Sequence, residues 1–570
     1  MRRARSASTG RRTGAEALVE SLARAGAEVV FGYPGGNVVD VFDHLPDAPF
    51  DFVLGRHEQG VVHMADGYAR ATGRPGVAIV TSGPGATNAI TGLGTANLDG
   101  VPLVLVSGQV PLPQIGTDAF QEADMTGICR AVTKHSFLVK SADEIPETVA
   151  EAFYIATHGK PGAVVIDLPR DVQEENTCAR YPERISLRAY HPESAATTKE
   201  VNTLAKWLNA AKRPVIYAGG GVIAANAADD LAALAHKASA PVATTLMGIG
   251  SFDEDDPLSL GMAGMHGSMA ANFAIDRADL VVALGVRFND RVTGRVGGYA
   301  RRARIVHVDC DPSSIDKNVP VDLGIVADVK DLLTTVSSRV RPASHGAWLA
   351  EVARWKAENP PSWKRRRRGV IMPQEAIEAV CAAAGRSAVV VTDVGQHQMW
   401  AARHCRHSLP RHFISSGGMG AMGFGIPAAI GAALALRGSE RVVAIVGDGG
   451  AQMTFQEMVV AVERSLPVVF VIINNGCLGM VRQVQDIFFG GRRFAVSLAG
   501  ERGYLPDFVA LARAYGAKGM RVSAPGELMT AMKRAFASRR PVVVEVVVDP
   551  DANVYPMIPA GGNVAQAIVK

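Results

Sequence analysis

The sequence has few cysteines, and none of them stands in a metal-binding spacing. Its six cysteines are scattered along 570 residues without a CxxC motif. This pattern predicts neither a disulfide framework nor a zinc site. Because disulfides accumulate in oxidising compartments, the cysteine usage favours a reducing cytosol, and we expect a soluble, cytoplasmic protein.

Long apolar segments and a large excess of one charge are also missing. No uninterrupted apolar run is long enough to span a bilayer, so we expect no membrane contact. The N-terminal stretch MRRARSASTGRRTG is basic but has no apolar segment behind it. We therefore expect residues 1–13 to be a disordered basic tail rather than a secretory signal. The formal net charge of +4 is small for this length and does not argue for nucleic acid.

Three blocks of alternating strand-like and helical patterns follow one another along the chain. Apolar runs such as GVAIVTSGPG and PGAVVIDLP end in Gly, Pro or Ser, as is typical of βα units in a parallel sheet. We predict an α/β fold class with three open parallel-sheet domains at residues 14–185, 190–340 and 374–570. Residues 341–373 are predicted as a linker. Within them the KRRRR run, 364–368, is interpreted as a solvated face, with anion or nucleic-acid contact as the alternative.

The third block contains the most informative pattern, from Ala444 to Gln485. One β-branched run ends in Gly447, Asp448, Gly449 and Gly450, and a second ends in an Asn-Asn pair. In a parallel sheet both strand ends lie at the same edge, where ligands bind. The glycines let the backbone approach a diphosphate at a helix N-terminus. The acid and the second asparagine, Asn475, supply oxygen ligands of the kind that Mg²⁺ prefers.

Together with further motifs in one order, this pattern makes nearly the whole chain resemble the catalytic subunit of acetolactate synthase (acetohydroxyacid synthase). The matching segments are VFGYPGGNVVDVFD, RHEQGVVHMADGYARATGRPG, TSGPGATNAITGL, IGTDAFQEADM, TKHSFLV, GMHG, GVRFNDRVTG, GDGG…NN and NVYPMIPAGG. The resemblance implies a thiamine-diphosphate-dependent carboligase, a transferase of branched-chain amino-acid biosynthesis. It also implies pyrimidine-binding, central FAD-binding-like and diphosphate-binding domains. As partners it implies 2-oxo acids, a homodimer or tetramer with active sites at the subunit interface, and a small regulatory subunit.

The resemblance assigns the catalytic carboxylate to Glu58, in RHEQG. It would hydrogen-bond the pyrimidine N1′ of thiamine diphosphate and favour the imino tautomer, whose 4′-nitrogen reaches the acidic C2–H. Substrate handling carries over to Gly36, Phe120, Gln121 and Lys134, with the lysine adding a positive charge near a carboxylate substrate. For Lys134 an exposed, non-functional lysine is the alternative.

In the third block the resemblance implies Mg²⁺ binding by Asp448, Asn475 and the backbone carbonyl of Cys477. Met422 would support the bent cofactor from below, and the Gly420 carbonyl would receive its 4′-amino group. The other cofactor contacts expected in this block are Val394, Gly395, Gln396, His397, Gly447, Gly449, Gly450, Leu478, Gly479 and Met480.

In the second block the resemblance implies a structural FAD, since the reaction itself is not a redox reaction. The expected contacts are Gly220, Gly221, Thr244, Leu246, Met247, Met265, His266, Gly267, Gly285, Arg287, Asp309 and Asp328. A glycine run after a strand is by itself a weak nucleotide signal.

Three positions depart from the family pattern. Val484 stands where the family usually has Trp, Ala451 follows Gly450 where GDGSF is usual, and Asn37 follows Gly36 where small residues are commoner. In the family, the Trp at the position of Val484 shapes the pocket for the acceptor. Together the three departures put the identity of the acceptor in doubt. We therefore keep open a specialised carboligase that uses a different acceptor. A third hypothesis is a cofactor-binding paralogue without catalysis, against which the intact Glu58, Asp448 and Asn475 argue.

Overall fold

The computed structural model describes residues 11–365, 367–500 and 503–569. The chain divides into two compact units, unit 1 (Met1–His191) and unit 2 (Pro192–Lys570). Most of the predicted basic tail, residues 1–10, lies outside the described residues.

Unit 1 alternates strands and helices. Its strands are β1 (Arg12–Thr13), β2 (Val29–Tyr33), β3 (Asp51–Leu54), β4 (Gly76–Val80), β5 (Leu103–Gln109), β6 (His135–Leu138), β7 (Ala163–Pro169) and β8 (Asn176–Thr177). Its helices are α1 (Gly14–Arg24), α2 (Val39–His44), α3 (Glu58–Thr72), α4 (Pro84–Asn88), α5 (Ile90–Asp99), α6 (Met125–Cys129), α7 (Ile145–Thr157) and α8 (Arg170–Glu174).

The main sheet of unit 1 has the order β3-β2-β4-β5-β7-β6, and all neighbouring strands run parallel. Strands β4, β5 and β7 are buried at every residue, which explains their continuous apolar runs. Because the strands are parallel, the loops after β2, β3, β4, β5 and β7 meet at one carboxyl edge.

The first half of unit 2 surrounds the central sheet, of order β11-β10-β9-β12-β13-β14. Its strands are β9 (Pro214–Ala218), β10 (Val242–Thr244), β11 (Ser259–Met262), β12 (Leu280–Leu284), β13 (Arg304–Asp309) and β14 (Leu323–Val326). The helices of this part are α9 (Thr198–Ala210), α10 (Gly220–Ala224), α11 (Ala228–Ala238), α12 (Met269–Arg277), α13 (Asp290–Thr293), α14 (Val329–Ser337) and α15 (Gly346–Glu358).

The rest of unit 2 surrounds the C-terminal sheet, of order β16-β15-β17-β18-β20-β19. Its strands are β15 (Val389–Thr392), β16 (Phe413–Ile414), β17 (Val442–Gly447), β18 (Val469–Asn474), β19 (Lys518–Val522) and β20 (Val542–Val547). Its helices are α16 (Pro373–Ala384), α17 (Gln396–His404), α18 (Gly425–Leu436), α19 (Asp448–Thr454), α20 (Met458–Glu463), α21 (Gly479–Phe488), α22 (Phe508–Ala514) and α23 (Leu528–Phe536). Both sheets of unit 2 are parallel, and with the sheet of unit 1 they confirm the predicted fold class.

The predicted linker, residues 341–373, contains helix α15. Trp348, Val352 and Trp355 lie on one side of this helix and are buried in a core cluster shared with the central sheet. Trp348 Nε1 also donates a hydrogen bond to the Pro214 carbonyl at 3.1 Å. The segment is thus partly a packed element, because three apolar side chains at helical spacing give it a core face.

Within the basic run, Arg365 and Arg367 form ion pairs with Glu375 at 2.8 Å and Asp551 at 3.1 Å. Two of its positive charges therefore contact acids of the same chain, which supports the interpretation as a solvated face. At the other end of the chain, Arg12 and Thr13 of the predicted tail form β1, which pairs antiparallel with β8.

The cysteine spacing predicted no disulfide framework, and the structure contradicts this prediction with one disulfide. Cys381 on α16 and Cys405 at the end of α17 form a disulfide, with 5.8 Å between their Cα atoms. The two cysteines are 24 residues apart, a spacing without a known signature, and only the packing of the two helices brings them together. Among the residues that the structure describes, no helix combines the length and apolar character needed to cross a membrane.

Candidate active site

Glu58 is the first residue of α3 and follows β3 at the carboxyl edge of the unit 1 sheet. The preceding His57 is the N-cap, and its Nδ1 accepts a hydrogen bond from the Gln59 N–H at 3.1 Å. The Glu58 carboxylate is 8% exposed and accepts a hydrogen bond from Asn88 Nδ2 at 3.0 Å. A negative charge is stabilised here by the unpaired N–H groups of the helix terminus. The motif therefore gives a buried, oriented carboxylate.

The loop after β4 closes around this carboxylate. A Cβ on Gly85 would lie 3.1 Å from Glu58 Oε1, so glycine leaves this oxygen uncovered. In the same loop Gly83 has a φ of 56°, and a Cβ there would lie 2.7 Å from the Gln121 carbonyl oxygen. The predicted substrate residue Gln121 therefore packs against this turn, while the neighbouring Phe120 side chain is 88% exposed.

Gly36 lies in the loop after β2, and a Cβ at this position would meet open space. Its neighbour Asn37, one of the departures from the family pattern, donates a hydrogen bond through Nδ2 to Ser82 Oγ at 2.6 Å. The unusual asparagine thus ties the Gly36 loop to the turn before Gly85.

Lys134 does not join this group. It precedes β6 at the amino end of the sheet, where its backbone N–H donates to the Ala163 carbonyl. Its ammonium donates to the carbonyls of Ile155 and His158, and to the Tyr190 hydroxyl at 2.8 Å. The structure therefore places Lys134 at the edge opposite Glu58, and its contact with substrate stays a prediction. Arg170, the first residue of α8, is a basic side chain that does lie at the carboxyl edge.

Asp448 begins α19 directly after β17, at the carboxyl edge of the C-terminal sheet. Its carboxylate accepts hydrogen bonds from the N–H groups of Gly449 at 3.0 Å and Gly476 at 2.7 Å. Burial raises the pKa of Asp448 to about 7. A bound cation would offset that cost of burying a negative charge.

Asn475 and Cys477 follow the adjacent strand β18, and Asn475 Oδ1 accepts a hydrogen bond from the Cys477 N–H at 3.0 Å. In the part of the chain that the structure describes, no group of three His, Cys, Asp or Glu side chains could hold a metal. The predicted set contains a single carboxylate, an amide and a carbonyl, so this result does not bear against it. One buried acid with two neutral oxygens fits a Mg²⁺ ion that takes its other ligands from phosphate and water.

The loop after β15 lies beside the start of α19, where Asp393 approaches Gly450. Asp393 accepts hydrogen bonds from the N–H groups of Val394 at 2.8 Å and Gly425 at 2.9 Å, and burial raises its pKa to about 6. A Cβ on Gly450 would lie 2.3 Å from Asp393 Oδ1, so only glycine fits at this crossing. Asp393 was not among the residues predicted from the sequence, although it directly follows β15 and precedes the predicted contact Val394.

His397 packs its ring against this turn. A Cβ on Gly395 or Gly447 would lie within 3.0–3.1 Å of the ring. Burial lowers the pKa of His397 to about 4, so the ring is neutral at pH 7. Among the described residues, His397 Nε2 and Gln396 Oε1 are buried without a hydrogen-bond partner. Unsatisfied buried polar atoms beside a glycine-lined cradle fit a bound polar group such as a diphosphate.

The remaining predicted contacts of this block gather around the same edge. A Cβ on Gly479 would lie 2.1 Å from Gln396 Oε1 and 2.7 Å from Asn475 Nδ2. A Cβ on Gly449 would meet Leu478 at 3.1 Å and Met422 at 3.3 Å. Gly420 has a φ of 66°, and Met480 packs partly buried against the core.

The predicted flavin residues follow the carboxyl ends of the central-sheet strands. Gly219 and Gly221 cross Gly285 so closely that a Cβ would lie 2.1–2.6 Å from its atoms. The close approach of the two backbone segments is by itself enough to require glycine at these positions, with or without a bound ligand. Thr244 Oγ1 and His266 Nδ1 are buried without a partner in the described residues, and burial lowers the pKa of His266 to about 4.

Other members of this set have local roles. Asp328 is the N-cap of α14 and accepts hydrogen bonds from two N–H groups of its first turn. Asp309 accepts one from the Asp311 N–H at 2.9 Å, and the Arg287 carbonyl accepts one from Asn318. A Cβ on Gly220 would meet Met247, and one on Gly267 would meet Ala263. Leu246 packs against the core of the C-terminal sheet, and the Met265 carbonyl accepts a hydrogen bond from the Ile558 N–H.

Comparison with known proteins matches three family models in chain order. They are the N-terminal thiamine pyrophosphate binding domain over residues 12–128, the central domain of thiamine pyrophosphate enzymes over 201–336, and the C-terminal binding domain over 393–546. The acetolactate synthase large subunit of Haemophilus influenzae is 44% identical, over 98% of both chains. The large subunit IlvB1 of Mycobacterium tuberculosis is 46% identical, over 96% of this chain and 90% of its own. The chain belongs to the acetolactate synthase large-subunit family.

Isozyme 3 of the acetolactate synthase large subunit from Escherichia coli is 44% identical, over 97% of both chains. The family's thiamine pyrophosphate binding domains confirm the predicted dependence on thiamine diphosphate. Within this acetolactate synthase framework, Val484 lies on α21 with its side chain 38% exposed. It shares a face with Val481 and Phe488, three and four residues away, which are also exposed.

Proposed function

We propose that the chain is a thiamine-diphosphate-dependent acetolactate synthase. It releases CO₂ from pyruvate and joins the remaining two-carbon unit to a second 2-oxo acid, and with pyruvate as acceptor the product is 2-acetolactate, a precursor of branched-chain amino acids. The buried Glu58 carboxylate at a helix N-terminus carries the proposal, in a chain that also has the Asp448 cradle. A cofactor-binding paralogue without catalysis has no observation in its favour.

Bound thiamine diphosphate supplies an acidic carbon and a group that accepts the electron pair left by decarboxylation. Glu58 would hold a proton at the pyrimidine N1′, and Asn88 keeps its carboxylate in place through the 3.0 Å hydrogen bond. The N–H groups around Gly395 and Gly447, together with neutral His397, would hold the diphosphate. Met422 and Leu478 pack beside Gly449 and would exclude water from the apolar part of the cofactor.

For Mg²⁺ we propose Asp448, Asn475 and the Cys477 carbonyl as protein ligands. Replacing Asp448 with Ala removes the one carboxylate, so thiamine diphosphate binding should weaken and lose its dependence on Mg²⁺ concentration. Titration calorimetry at several Mg²⁺ concentrations measures both effects. Unchanged affinity and unchanged metal dependence would refute this ligand set.

FAD is proposed for the carboxyl edge of the central sheet, where unpartnered Thr244 Oγ1 and His266 Nδ1 support a polar ligand. The protein should purify yellow or take up added FAD, and its flavin spectrum should stay constant during anaerobic turnover. A colourless protein that binds no added FAD would exclude the site. In that case the close approach of Gly219 to Gly285 would be the whole reason for glycine at these positions.

Gly36, Phe120 and Gln121 are proposed to line the approach of the substrate. Beside the predicted Lys134, we propose Arg170, half-exposed at the carboxyl edge of unit 1, as a second candidate cation for a substrate carboxylate. It forms ion pairs with Asp40 at 3.4 Å and Glu174 at 3.1 Å, which hold the guanidinium at this edge.

As partners we propose a second copy of the chain, in a homodimer or tetramer with active sites at the subunit interface, and a small regulatory subunit. For the protein itself we propose a cytoplasmic location. Several relatives are named large subunits, which supports a smaller partner. Glu58 lies in unit 1 and Asp448 in unit 2, and the resemblance to the acetolactate synthase family supports a site assembled from two chains.

The identity of the acceptor distinguishes the main proposal from the specialised alternative, which the Val484 departure leaves open. The purified protein is incubated with pyruvate alone, and then with pyruvate plus 2-ketobutyrate or other 2-oxo acids, and the products are identified by mass spectrometry. Formation of 2-acetolactate from pyruvate alone supports the proposal. CO₂ release without 2-acetolactate, followed by ligation to a different acceptor, supports the alternative.

A further inference from the structure

The loop that carries Phe120 and Gln121 spans residues 116–124 and is termed the Phe120 loop. It closes on the Glu122 carboxylate, which accepts hydrogen bonds from the N–H groups of Gly116 and, at 3.0 Å, Ala119. The Phe120 side chain makes little contact with the rest of the unit, being 88% exposed. The position of this loop over the sheet must therefore be set by its other contacts.

Gln109, the last residue of β5, anchors the Phe120 loop to the sheet. Its Nε2 donates hydrogen bonds to the Ala123 carbonyl at 2.7 Å and to Asp167 Oδ2 at 3.0 Å. Its Oε1 accepts one from the Val110 N–H at 2.9 Å. Both amide protons are therefore committed, one to the loop and one to Asp167, and the side chain is 2% exposed.

Asp167 lies on β7 beside Ser107 of β5 in the parallel register. Its Oδ1 accepts a hydrogen bond from Ser107 Oγ at 2.7 Å, and the residue is 1% exposed. An acid in the centre of a sheet is costly unless hydrogen bonds satisfy it, and it adds nothing to apolar packing. The Ser107 hydrogen bond holds the Asp167 carboxylate in place. Its other oxygen, Oδ2, can then fix the orientation of the Gln109 amide.

We propose that Gln109 and Asp167 are positioning residues that hold the Phe120 loop at the carboxyl edge of unit 1. Asp167 orients the Gln109 amide, and Gln109 holds the Ala123 carbonyl two residues after Gln121. The loop's role toward substrate rests on the proposed function, whereas the anchoring of the loop does not.

The test compares Gln109→Met with Ser21→Ala in the full-length protein. Methionine keeps the length and burial of the side chain but donates no hydrogen bond. Ser21→Ala is the matched control, because it removes a buried 2.6 Å hydrogen bond to the Ala17 carbonyl on α1. Hydrogen exchange followed by mass spectrometry should show amides 116–124 exchanging about two- to tenfold faster in Gln109→Met and unchanged in Ser21→Ala. Equal exchange of the loop in both variants would overturn the proposal.

Asp167→Asn and Asp167→Ala give a second comparison, which decides the matter if Gln109→Met does not fold. The asparagine can still accept from Gln109 through its amide oxygen, so loop protection should persist. Alanine leaves the Gln109 amide without this partner, so protection should fall, and equal protection in the two variants would contradict the role of Asp167.

Steady-state kinetics tests the link to substrate separately. Gln109→Met should raise the KM for pyruvate about two- to tenfold while thiamine diphosphate affinity stays unchanged. If the wild-type protein releases no CO₂ from pyruvate, the proposed function fails, and the exchange comparison still decides whether Gln109 anchors the loop. An unchanged KM beside a loosened loop would overturn the claim that the loop positions substrate contacts.

Discussion

At the scale of single residues, Asp393 and Asp448 show how one buried acid organises a loop. Each accepts hydrogen bonds from at least two backbone N–H groups, those of Val394 and Gly425 for Asp393 and those of Gly449 and Gly476 for Asp448. Burial raises the pKa of both carboxyls, which shows that the fold bears a cost for them. Such a cost is retained where the charge or the hydrogen bonds serve a ligand.

Val484 leads to a prediction about the acceptor. Val484→Trp should raise the preference for 2-ketobutyrate over pyruvate, because an indole supplies an apolar wall that the extra methyl group can touch. One such contact is worth about 1 kcal/mol, or several-fold in the competition ratio. The measurement is the product ratio from mixed 2-oxo acids. A wild-type enzyme that already favours 2-ketobutyrate strongly would show that another residue shapes the pocket.

Asp167 leads to a prediction about pH. Burial raises its pKa to about 7, whereas an unfolded aspartate has a pKa of about 3.9. Between these values the folded chain keeps a proton that the unfolded chain has released, so the free energy of unfolding falls as pH rises. Relative to Asp167→Asn, which does not titrate, the wild type should lose on the order of 1–3 kcal/mol between about pH 4 and pH 7. Urea unfolding of both proteins at several pH values measures this difference, which should not change with pH if Asp167 titrates normally.

At the scale of elements, the disulfide joins Cys405, which directly follows α17, to Cys381 in the last turn of α16. Helix α17 begins with Gln396 and His397, so this link anchors the helix that carries part of the diphosphate cradle. Closing a loop of this length restricts the unfolded chain and stabilises the fold by about 3 kcal/mol.

Cys405→Ser should therefore lower the melting temperature, while Cys178→Ser, which alters an exposed free cysteine, should not. The denatured, unreduced protein should show four reactive thiols, those of Cys129, Cys178, Cys310 and Cys477. Six thiols without added reductant would mean that the link does not form.

Element order was predictable from the sequence, and element packing only in part. The strand ends at Gly447 and Asn474 were readable because β-branched runs stop at glycine or asparagine. Helix α15 was missed although Trp348, Val352 and Trp355 have helical spacing, since the charged residues around them resemble a linker. The disulfide and the position of Lys134 could not be predicted from the sequence, because both depend on which elements pack next to each other. For Lys134 the strand register alone decides that it lies at the amino edge.

At the scale of the whole molecule, the proposal of an active site between two chains predicts complementation. Glu58→Gln and Asp448→Ala should each be nearly inactive. In a mixed dimer, one site would combine the intact Glu58 of one chain with the intact Asp448 of the other. Refolding the two variants together should therefore restore up to about a quarter of the wild-type activity. Mixtures of each variant with itself are the control, and activity no higher than theirs would mean that each site lies within one chain.

The carbon balance of the purified chain tests the central claim most directly. With thiamine diphosphate, Mg²⁺ and pyruvate, the wild type should release one CO₂ for each 2-acetolactate formed and for each pair of pyruvates consumed. Glu58→Gln, shown by calorimetry to bind thiamine diphosphate equally well, should lower both products by orders of magnitude, because an amide does not hold the N1′ proton as a carboxylate does. Near-wild-type turnover in Glu58→Gln, or no CO₂ from a wild type with bound cofactor, would contradict the account.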